Sequence, residues 1–369
     1  MKTNVSKEQP RILLAGGGTG GHLFPALAIA EEIKRIQPNV QVRFVGTKGK
    51  IESRVVPQQG YPLDIIWISG FHRRLTIENF LFPVKVMVSL MQSSTLIRRF
   101  KPDVIVGTGG YVCGPVLYIG SKLGIHTVVH ESNSYPGITT RMLANQATRV
   151  FTAFEATNRW LKRVDNVELV GTPIRNLRGA SRKAALSFFD LEASRKTILV
   201  VGGSHGATSM NTAVKSVLTN PKCKGIQFLW QTGEKDFEGI SKQFGTQKHT
   251  RIQPFIDRMD YAYAAADVVV SRAGATTIAE ITALGKPAIL VPYPHAAADH
   301  QTQNAFTLVD AGAAIMIPDK DVASHLAESL FLLLKDEQKR KRMAQASRAL
   351  GKREAGTIIA RKILDLVRN

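Results

Sequence analysis

The sequence is short of cysteine, aromatic residues and acidic side chains. Its 369 residues include 2 cysteines and 7% aromatics, with 29 acidic residues against 49 lysines and arginines. Cys113 and Cys223 lie far apart and have no metal-ligand spacing, which indicates free thiols in a reducing compartment. The formal net charge of +20 predicts an anionic partner, such as a phosphate-bearing substrate, nucleic acid or an acidic membrane surface.

Long hydrophobic runs are also missing. No apolar run is long enough to span a bilayer, and the polar N-terminus has no apolar signal-peptide core. We therefore expect a cytoplasmic protein that meets a membrane only from outside the bilayer core. A hydrophobic fraction of 44% and a charged fraction of 21% are typical of a globular protein. The length fits two domains.

The first glycine-rich stretch predicts a strand, a turn and a helix. Residues 12–15 are apolar, and residues 16–21 have no side chain larger than threonine. An apolar segment with helical spacing follows from Leu23, directly after His22. Such a turn presents backbone N–H groups at the carboxyl end of a strand, where an anion can bind.

The same strand and glycine turn recur along the chain, at residues 103–110, 197–207 and 268–277. Alternating strands and helices in both halves predict an α/β fold with two parallel-sheet domains facing each other across a cleft. We place the domains at residues 1–170 and 171–369, with the last helix free to pack back on the first domain.

The turn at 16–21 matches the dinucleotide pattern G-x-G-x-x-G, but a nicotinamide site also needs an acid at the end of the second strand. That position holds Gly46-Thr47-Lys48, which argues against an oxidoreductase. The only D-x-D, at residues 319–321, precedes a helix and predicts a cap rather than a metal site. We therefore expect no metal ion and no cofactor. The turns at 203–207 and 274–277 are then the candidate phosphate sites.

Two further features leave alternatives open. Thr277 and Glu280 form a capping-box pattern, yet the same carboxylate could accept hydrogen bonds from ribose hydroxyls. Residues 71–101 mix apolar and basic side chains, with Phe80, Val84, Met87 and Met91 on one helical face and Arg73, Arg74 and Lys85 among them. Pattern alone favours an ordinary core helix over a surface that rests on anionic lipid headgroups.

Taken together, the motifs resemble the MurG family of bacterial glycosyltransferases. The matching segments occur in family order and cover most of the chain: GGGTGGHLFPA at 16–26, GTGGYVCGP at 107–115, HESN at 130–133, GTPIR at 171–175, GGSHGA at 202–207, FIDRM at 255–259, SRAGATTIAE at 271–280 and HQTQNA at 300–305. The chain departs from the usual family pattern at Thr172, His205 and Thr276.

The resemblance implies a GT-B fold with two Rossmann-like domains separated by a deep cleft. It implies inverting transfer of N-acetylglucosamine from UDP-N-acetylglucosamine to the lipid-linked muramyl-pentapeptide, on the cytoplasmic face of the membrane. It also favours the membrane-surface interpretation of residues 71–101. The substrate-binding residues that it implies are Thr19, Gly20, Gly21, Asn133, Arg175, Ser204, Ile256, Ala275, Thr276, Thr277, Glu280 and Gln301.

Inversion requires a base for the attacking hydroxyl, and His22 is our candidate because its ordinary pKa lies near working pH. Glu131 is the main rival, and His22 could instead only orient the glycine turn. An alternative function is a UDP-N-acetylglucosamine 2-epimerase on the same fold. Nucleic-acid binding is not supported by any recognised motif. The positive charge is also spread along the chain and does not form a block.

Overall fold

The computed structural model of the protein describes residues 9–70, 81–177, 179–203 and 206–368. Ser204, Phe80, Arg73 and Arg74, which carry sequence predictions, lie outside these ranges. The chain packs into two units, one of Met1–Arg175 with Arg353–Asn369 (unit 1) and one of Asn176–Lys352 (unit 2). We expected the boundary at 170 and 171.

Unit 1 is built on a parallel sheet with the strand order β3-β2-β1-β4-β5-β6-β7. Its strands are β1 (Arg11–Ala15), β2 (Gln41–Gly46), β3 (Leu63–Ile65), β4 (Val104–Gly107), β5 (His126–Glu131), β6 (Arg149–Thr152) and β7 (Val167–Leu169). Its helices up to residue 175 are α1 (Gly20–Ile36), α2 (Ile51–Gln58), α3 (Phe82–Phe100), α4 (Cys113–Lys122) and α5 (Ile138–Leu143).

Both faces of the sheet are buried at the central strands β1 and β4, which explains why these two strands are continuous apolar runs. Alternate residues of β1 point to opposite faces. Ile12 and Leu14 enter the core that contains α1, whereas Leu13 and Ala15 enter the core that contains Ile97 of α3.

Unit 2 repeats the plan with the strand order β10-β9-β8-β11-β12-β13. Its strands are β8 (Lys196–Val201), β9 (Ile226–Gln231), β10 (Thr250–Gln253), β11 (Val268–Ser271), β12 (Ala288–Leu290) and β13 (Ala314–Met316). Its helices are α6 (Arg182–Phe188), α7 (Thr208–Leu218), α8 (Glu234–Phe244), α9 (Met259–Ala265), α10 (Ala275–Leu284), α11 (His300–Asp310), α12 (Val322–Lys335) and α13 (Glu337–Leu350).

The last helix, α14 (Ala355–Arg368), belongs to unit 1 although it follows unit 2 in the chain. It packs against α1, and its Ile359 and Ile363 are fully buried in the same core as Ile29 and Ile33. The Thr357 hydroxyl adds a 2.9 Å hydrogen bond to a carboxylate oxygen of Glu32.

Each sheet has one point where the strand order reverses, and the glycine turns lie there. In unit 1 the reversal is between β1 and β4, and in unit 2 it is between β8 and β11. Ligands of open α/β sheets bind beyond the carboxyl ends of the strands at such a switch point. The fold thus places each pair of predicted glycine motifs at the expected binding edge of its own sheet. Throughout the described ranges, every helix is too short or too polar to cross a bilayer.

The packing of α14 is tested by truncating Ile359, which is 0% exposed. Ile359→Ala should lower the free energy of unfolding by about 2–5 kcal/mol, because it removes a buried side chain and leaves a cavity. Ile358, the next residue, is 38% exposed and provides the matched control. Ile358→Ala should change the urea midpoint little; equal effects of the two substitutions would contradict the packing of α14 on unit 1.

Candidate active site

His22 lies in the first turn of α1, and its ring is oriented by the glycine turn before it. Nδ1 is 3.2 Å from the Gly17 carbonyl oxygen and 3.3 Å from the Thr19 hydroxyl oxygen. A carbonyl oxygen only accepts, so the bond to Gly17 requires the proton on Nδ1. The neutral imidazole is then the tautomer protonated on Nδ1, and its Nε2 is the basic nitrogen. A general base needs such an unprotonated nitrogen.

The loop after β4 holds the other side of His22. The Thr108 hydroxyl donates to the His22 backbone carbonyl at 2.7 Å. Gly109 has a φ of +110°, and a Cβ there would lie 2.5 Å from His22 Cδ2. Only glycine fits both the backbone conformation and the close approach of the ring. The two glycine motifs of unit 1 therefore form one assembly around the imidazole.

An internal carboxylate occupies the base of the first glycine turn. Glu52 of α2 is fully buried, and its Oε2 accepts from the Gly18 N–H at 2.9 Å. Its Oε1 accepts from the Thr47 N–H at 3.0 Å and from the Thr47 hydroxyl at 2.8 Å. The turn that was predicted to bind an anion is thus hydrogen-bonded to a carboxylate of its own chain.

Three predicted site residues lie at the start of α1. Thr19 is its N-cap, and Gly20 and Gly21 are its first two residues.

Glu131, the rival base, organises the loop that follows β5. Its Oε1 accepts from the backbone and side-chain amides of Asn133, at 3.0 and 3.1 Å. Its Oε2 accepts from the Gly137 N–H at 3.0 Å and from the Thr140 hydroxyl at 2.7 Å. Both oxygens of this buried carboxylate are engaged in holding the loop. That geometry favours His22 over Glu131 as the base, and it fixes the position of Asn133.

His130 joins the end of β5 to the segment that carries Arg175. Its Nε2 donates to the Gly171 carbonyl at 3.0 Å, and Ser132 Oγ lies 3.4 Å from its Nδ1. Burial lowers the pKa of His130 from its ordinary value of 6.5, so the ring is held neutral.

Arg175 contacts side chains of α1. Its guanidinium lies 4.8 Å from the centre of the Phe24 ring. Burial raises the pKa of Glu31, and the charge of Arg175 opposes that rise.

In unit 2, α10 begins at the switch point directly after β11. Gly274 is its N-cap and Ala275, Thr276 and Thr277 form its first turn. Thr276 Oγ1 is buried and has no hydrogen-bond partner among the described residues. The hydroxyls of Ser93, Thr152 and Ser271 are buried in the same way. Thr276 differs from them in its place in the first turn of α10, where backbone N–H groups could also bind a phosphate.

The capping-box interpretation of Glu280 is wrong. The N-cap of α10 is Gly274, so Thr277 and Glu280 do not occupy the positions that the motif requires. The Glu280 side chain is instead buried, and Tyr263 donates its hydroxyl proton to Oε2 at 2.9 Å. The role of Glu280 toward a ribose stays a prediction.

Gln231, at the end of β9, links two predicted donor segments. Its Nε2 donates to the Gly203 carbonyl at 2.9 Å, and its Oε1 accepts from the Ile256 N–H at 2.8 Å. The Ile256 N–H is therefore already bonded within unit 2. Gln301 accepts from the Tyr293 N–H at 2.9 Å and so holds the segment after β12.

The predicted cap at residues 319–321 is confirmed in position, but neither aspartate caps the helix through its side chain. Asp321 is the N-cap of α12 but makes no side-chain cap bond. Asp319 instead accepts from Arg272 at 2.6 Å and from the Ser209 hydroxyl at 2.6 Å. It thus ties the end of β11 to the start of α7. Within the described part of the chain, no cluster of three histidine, cysteine or acidic side chains could hold a metal ion.

Helix α3 buries Leu96 and Ile97 in the core, but the apolar face that the sequence predicted to be buried is exposed. Val84, Met87 and Met91 are 44%, 60% and 67% exposed. Lys85, which was counted with the surface cations, is buried, and its ammonium donates to Ser69 Oγ at 2.9 Å. The core interpretation of this face is therefore wrong for these residues.

Sequence reasoning missed three side chains that shape the loops: Glu52, Gln231 and Arg272. Gln231 and Arg272 each sit at the carboxyl end of an apolar strand, as Glu131 does. That shared position is a signal that could have found them. Glu52 follows the Gly46-Thr47 turn and is the sole acid among residues 48–54, which is a weaker signal.

Comparison with known proteins agrees with the fold. Residues 12–152 match the glycosyltransferase family 28 N-terminal domain, and residues 197–358 match the C-terminal domain of the same family. A protein of Christiangramia forsetii is 40% identical over 98% of this chain and 99% of its own length. It is named UDP-N-acetylglucosamine–N-acetylmuramyl-(pentapeptide) pyrophosphoryl-undecaprenol N-acetylglucosamine transferase.

Among solved structures, MurG of Acinetobacter baumannii matches with a TM-score of 0.73 and 27% identity. The match covers 96% of this chain and 99% of that one. A UDP-N-acetylglucosamine 2-epimerase matches with a TM-score of 0.63 at 14% identity, over 95% of this chain and 94% of that chain. At that identity the likeness concerns the fold alone.

Two parallel-sheet units with glycine turns at their switch points define a GT-B-like glycosyltransferase. Within that class, the near full-length relatives identify the particular group: the chain belongs to the MurG family.

The buried His130 predicts a pH dependence of stability. Because burial lowers its pKa in the folded state, the unfolded chain takes up a proton at a higher pH than the folded one. Stability should therefore be present above about pH 6.5 and be lost as the pH falls, by at most about 1.4 kcal/mol per pH unit. Urea unfolding of the wild type and of His130→Gln should show the steeper loss in the wild type. Parallel curves below about pH 6.5 would rule out this contribution.

Proposed function

We propose that the protein transfers N-acetylglucosamine from UDP-N-acetylglucosamine to the lipid-linked muramyl-pentapeptide, with inversion and a β-1,4 linkage. The product is the lipid-linked disaccharide used in peptidoglycan synthesis. The observation that carries this proposal is the 40% identity to a relative of that name over 98% of the chain. The orientation of His22 supports it from the side of mechanism.

The reaction is a single in-line displacement. The acceptor hydroxyl oxygen forms a bond to the anomeric carbon while the bond from that carbon to the UDP oxygen breaks. The electron pair leaves with UDP, and the hydroxyl proton passes to His22 Nε2. The Nδ1 proton stays on Nδ1 throughout and remains hydrogen-bonded to the Gly17 carbonyl oxygen, so the ring keeps its orientation as it becomes charged.

Unit 2 supplies most of the donor site in this proposal. The N-terminus of α10 and the Thr276 hydroxyl stabilise the charge that develops on the diphosphate. Glu280 accepts hydrogen bonds from the ribose hydroxyls, and Ile256 contacts the uracil through its backbone. The remaining donor contacts are assigned to Thr19, Gly20, Gly21, Asn133, Arg175, Ser204, Ala275, Thr277 and Gln301.

The acceptor is lipid-linked, so we also propose that unit 1 rests on the anionic cytoplasmic face of the membrane. The exposed Val84, Met87 and Met91 of α3 would enter the interface. Arg98 and Arg99 are exposed at the end of the same helix, where anionic headgroups would attract them. The protein would then be a peripheral membrane protein.

Release of UDP separates the transferase from the epimerase alternative. Incubation with UDP-N-acetylglucosamine should give UDP only when the lipid-linked acceptor is present. Release or epimerisation without acceptor would support the epimerase instead. The close relatives bear the transferase name, which weighs against that alternative.

The base is tested by His22→Ala. Turnover should fall about a hundredfold or more, because general-base catalysis is lost, while UDP binding stays near wild type. His126 is at the amino end of β5, whereas the glycine turns and Glu131 lie at the carboxyl ends of their strands. His126→Ala is therefore the control and should leave turnover near wild type. Nearly unchanged turnover in His22→Ala would assign the base to another residue.

The membrane face is tested by Met87→Asp combined with Met91→Asp. Sedimentation with phosphatidylglycerol vesicles should fall about tenfold, because two exposed apolar side chains are replaced by anionic ones. Leu332 of α12 is 59% exposed and lies in unit 2, so Leu332→Asp is the matched control. Equal loss of vesicle binding in both proteins would count against a specific role of α3.

A further inference from the structure

A single peptide group separates Glu52 from His22. Its carbonyl, from Gly17, lies 3.2 Å from His22 Nδ1. Its N–H, from Gly18, donates to Glu52 Oε2 at 2.9 Å. The order of groups is therefore carboxylate, peptide N–H, peptide carbonyl and imidazole N–H.

The surroundings of Glu52 are built to hold its carboxylate in that place. A Cβ on Gly17 would lie 2.5 Å from Glu52 Cδ, and a Cβ on Gly46 would lie 2.5 Å from Cγ. Both glycines thus leave room for the side chain. Thr47 donates to Oε1 from its backbone and from its hydroxyl, which leaves Oε2 directed at Gly18. Glu52 is 0% exposed, so solvent does not screen this contact.

A carboxylate that accepts from a peptide N–H polarises that peptide. The carbonyl oxygen of the same peptide becomes more negative and a stronger acceptor, since hydrogen bonds in a chain reinforce one another. A stronger acceptor at Gly17 fixes the proton on His22 Nδ1. It also stabilises the imidazolium that forms when Nε2 takes a proton.

We propose that Glu52 is a positioning residue for His22 and acts through the peptide between Gly17 and Gly18. This inference rests on the proposed role of His22 as the base. Glu52 sets the tautomer and orientation of the ring and makes Nε2 a stronger base, while it contacts neither donor nor acceptor. The role resembles that of an aspartate bonded directly to a catalytic histidine, with one peptide inserted between them.

The first test is the pH profile of Glu52→Gln, which removes the charge and keeps the shape. Its kcat should fall about tenfold because Nε2 is a weaker base, with KM for both substrates near wild type. The acidic limb of kcat/KM should move to lower pH by about half a pH unit or more, because the imidazolium loses its carboxylate. A limb that stays in place would overturn the proposal.

Thr47→Val is the matched control for a merely structural effect. It removes the hydroxyl bond to Oε1 but keeps the charge of Glu52. It should lower the unfolding temperature and leave the acidic limb where the wild type has it. If Glu52→Gln and Thr47→Val alter the pH profile alike, Glu52 only supports the loop and the proposal fails.

The second test measures the coupling without relying on catalysis. Proteins with isotope-labelled histidine give an NMR titration for each ring, and the signal missing in His22→Ala assigns His22. Glu52→Gln should lower the titration midpoint of His22 by about half a pH unit or more. An unchanged midpoint would overturn the role of Glu52. A lowered midpoint with normal turnover in His22→Ala would instead overturn the role of His22 as base and leave the coupling intact.

Discussion

The structure depends on satisfying the backbone groups that are exposed where parallel strands end. At these positions the chain leaves the sheet, so its N–H and C=O groups lose their ladder partners and need others. Buried polar side chains supply them: Glu52 for the turn after β1, Glu131 for the loop after β5, and Gln231 for the turns after β8 and β10. Because burial makes an unpaired polar group costly, each of these loops is held in one arrangement.

The two units use this device differently. In unit 1 the glycine turn already bonds an anion of its own chain, and the imidazole of His22 is fastened to the same turn. In unit 2 the turn at α10 keeps a buried hydroxyl, on Thr276, without a partner among the described residues. This contrast supports the proposed division of roles, in which unit 1 provides proton transfer and unit 2 binds the diphosphate.

The sequence predicted the strands and glycine turns well, because strands buried on both faces are apolar runs that end abruptly. The strands predicted to open the segments 197–207 and 268–277 are confirmed as β8 and β11. The bonds from Glu52 to Gly18 and from Asp319 to Arg272 could not be predicted, because they join residues 34 and 47 positions apart. The capping box at Glu280 failed for a local reason: the helix begins three residues earlier than the motif assumes, at a glycine cap.

Unit 1 is discontinuous in the chain, and this affects how it is made. Its core includes Ile359 and Ile363 of α14, which a ribosome adds only after all of unit 2. Until then the face of α1 that carries Ile29 and Ile33 has no helix to cover it. A nascent chain therefore holds an incomplete amino-terminal unit while the carboxyl-terminal one folds, and it exposes apolar surface of the kind that chaperones bind. The first unit to begin synthesis is thus the last to have all of its core residues available.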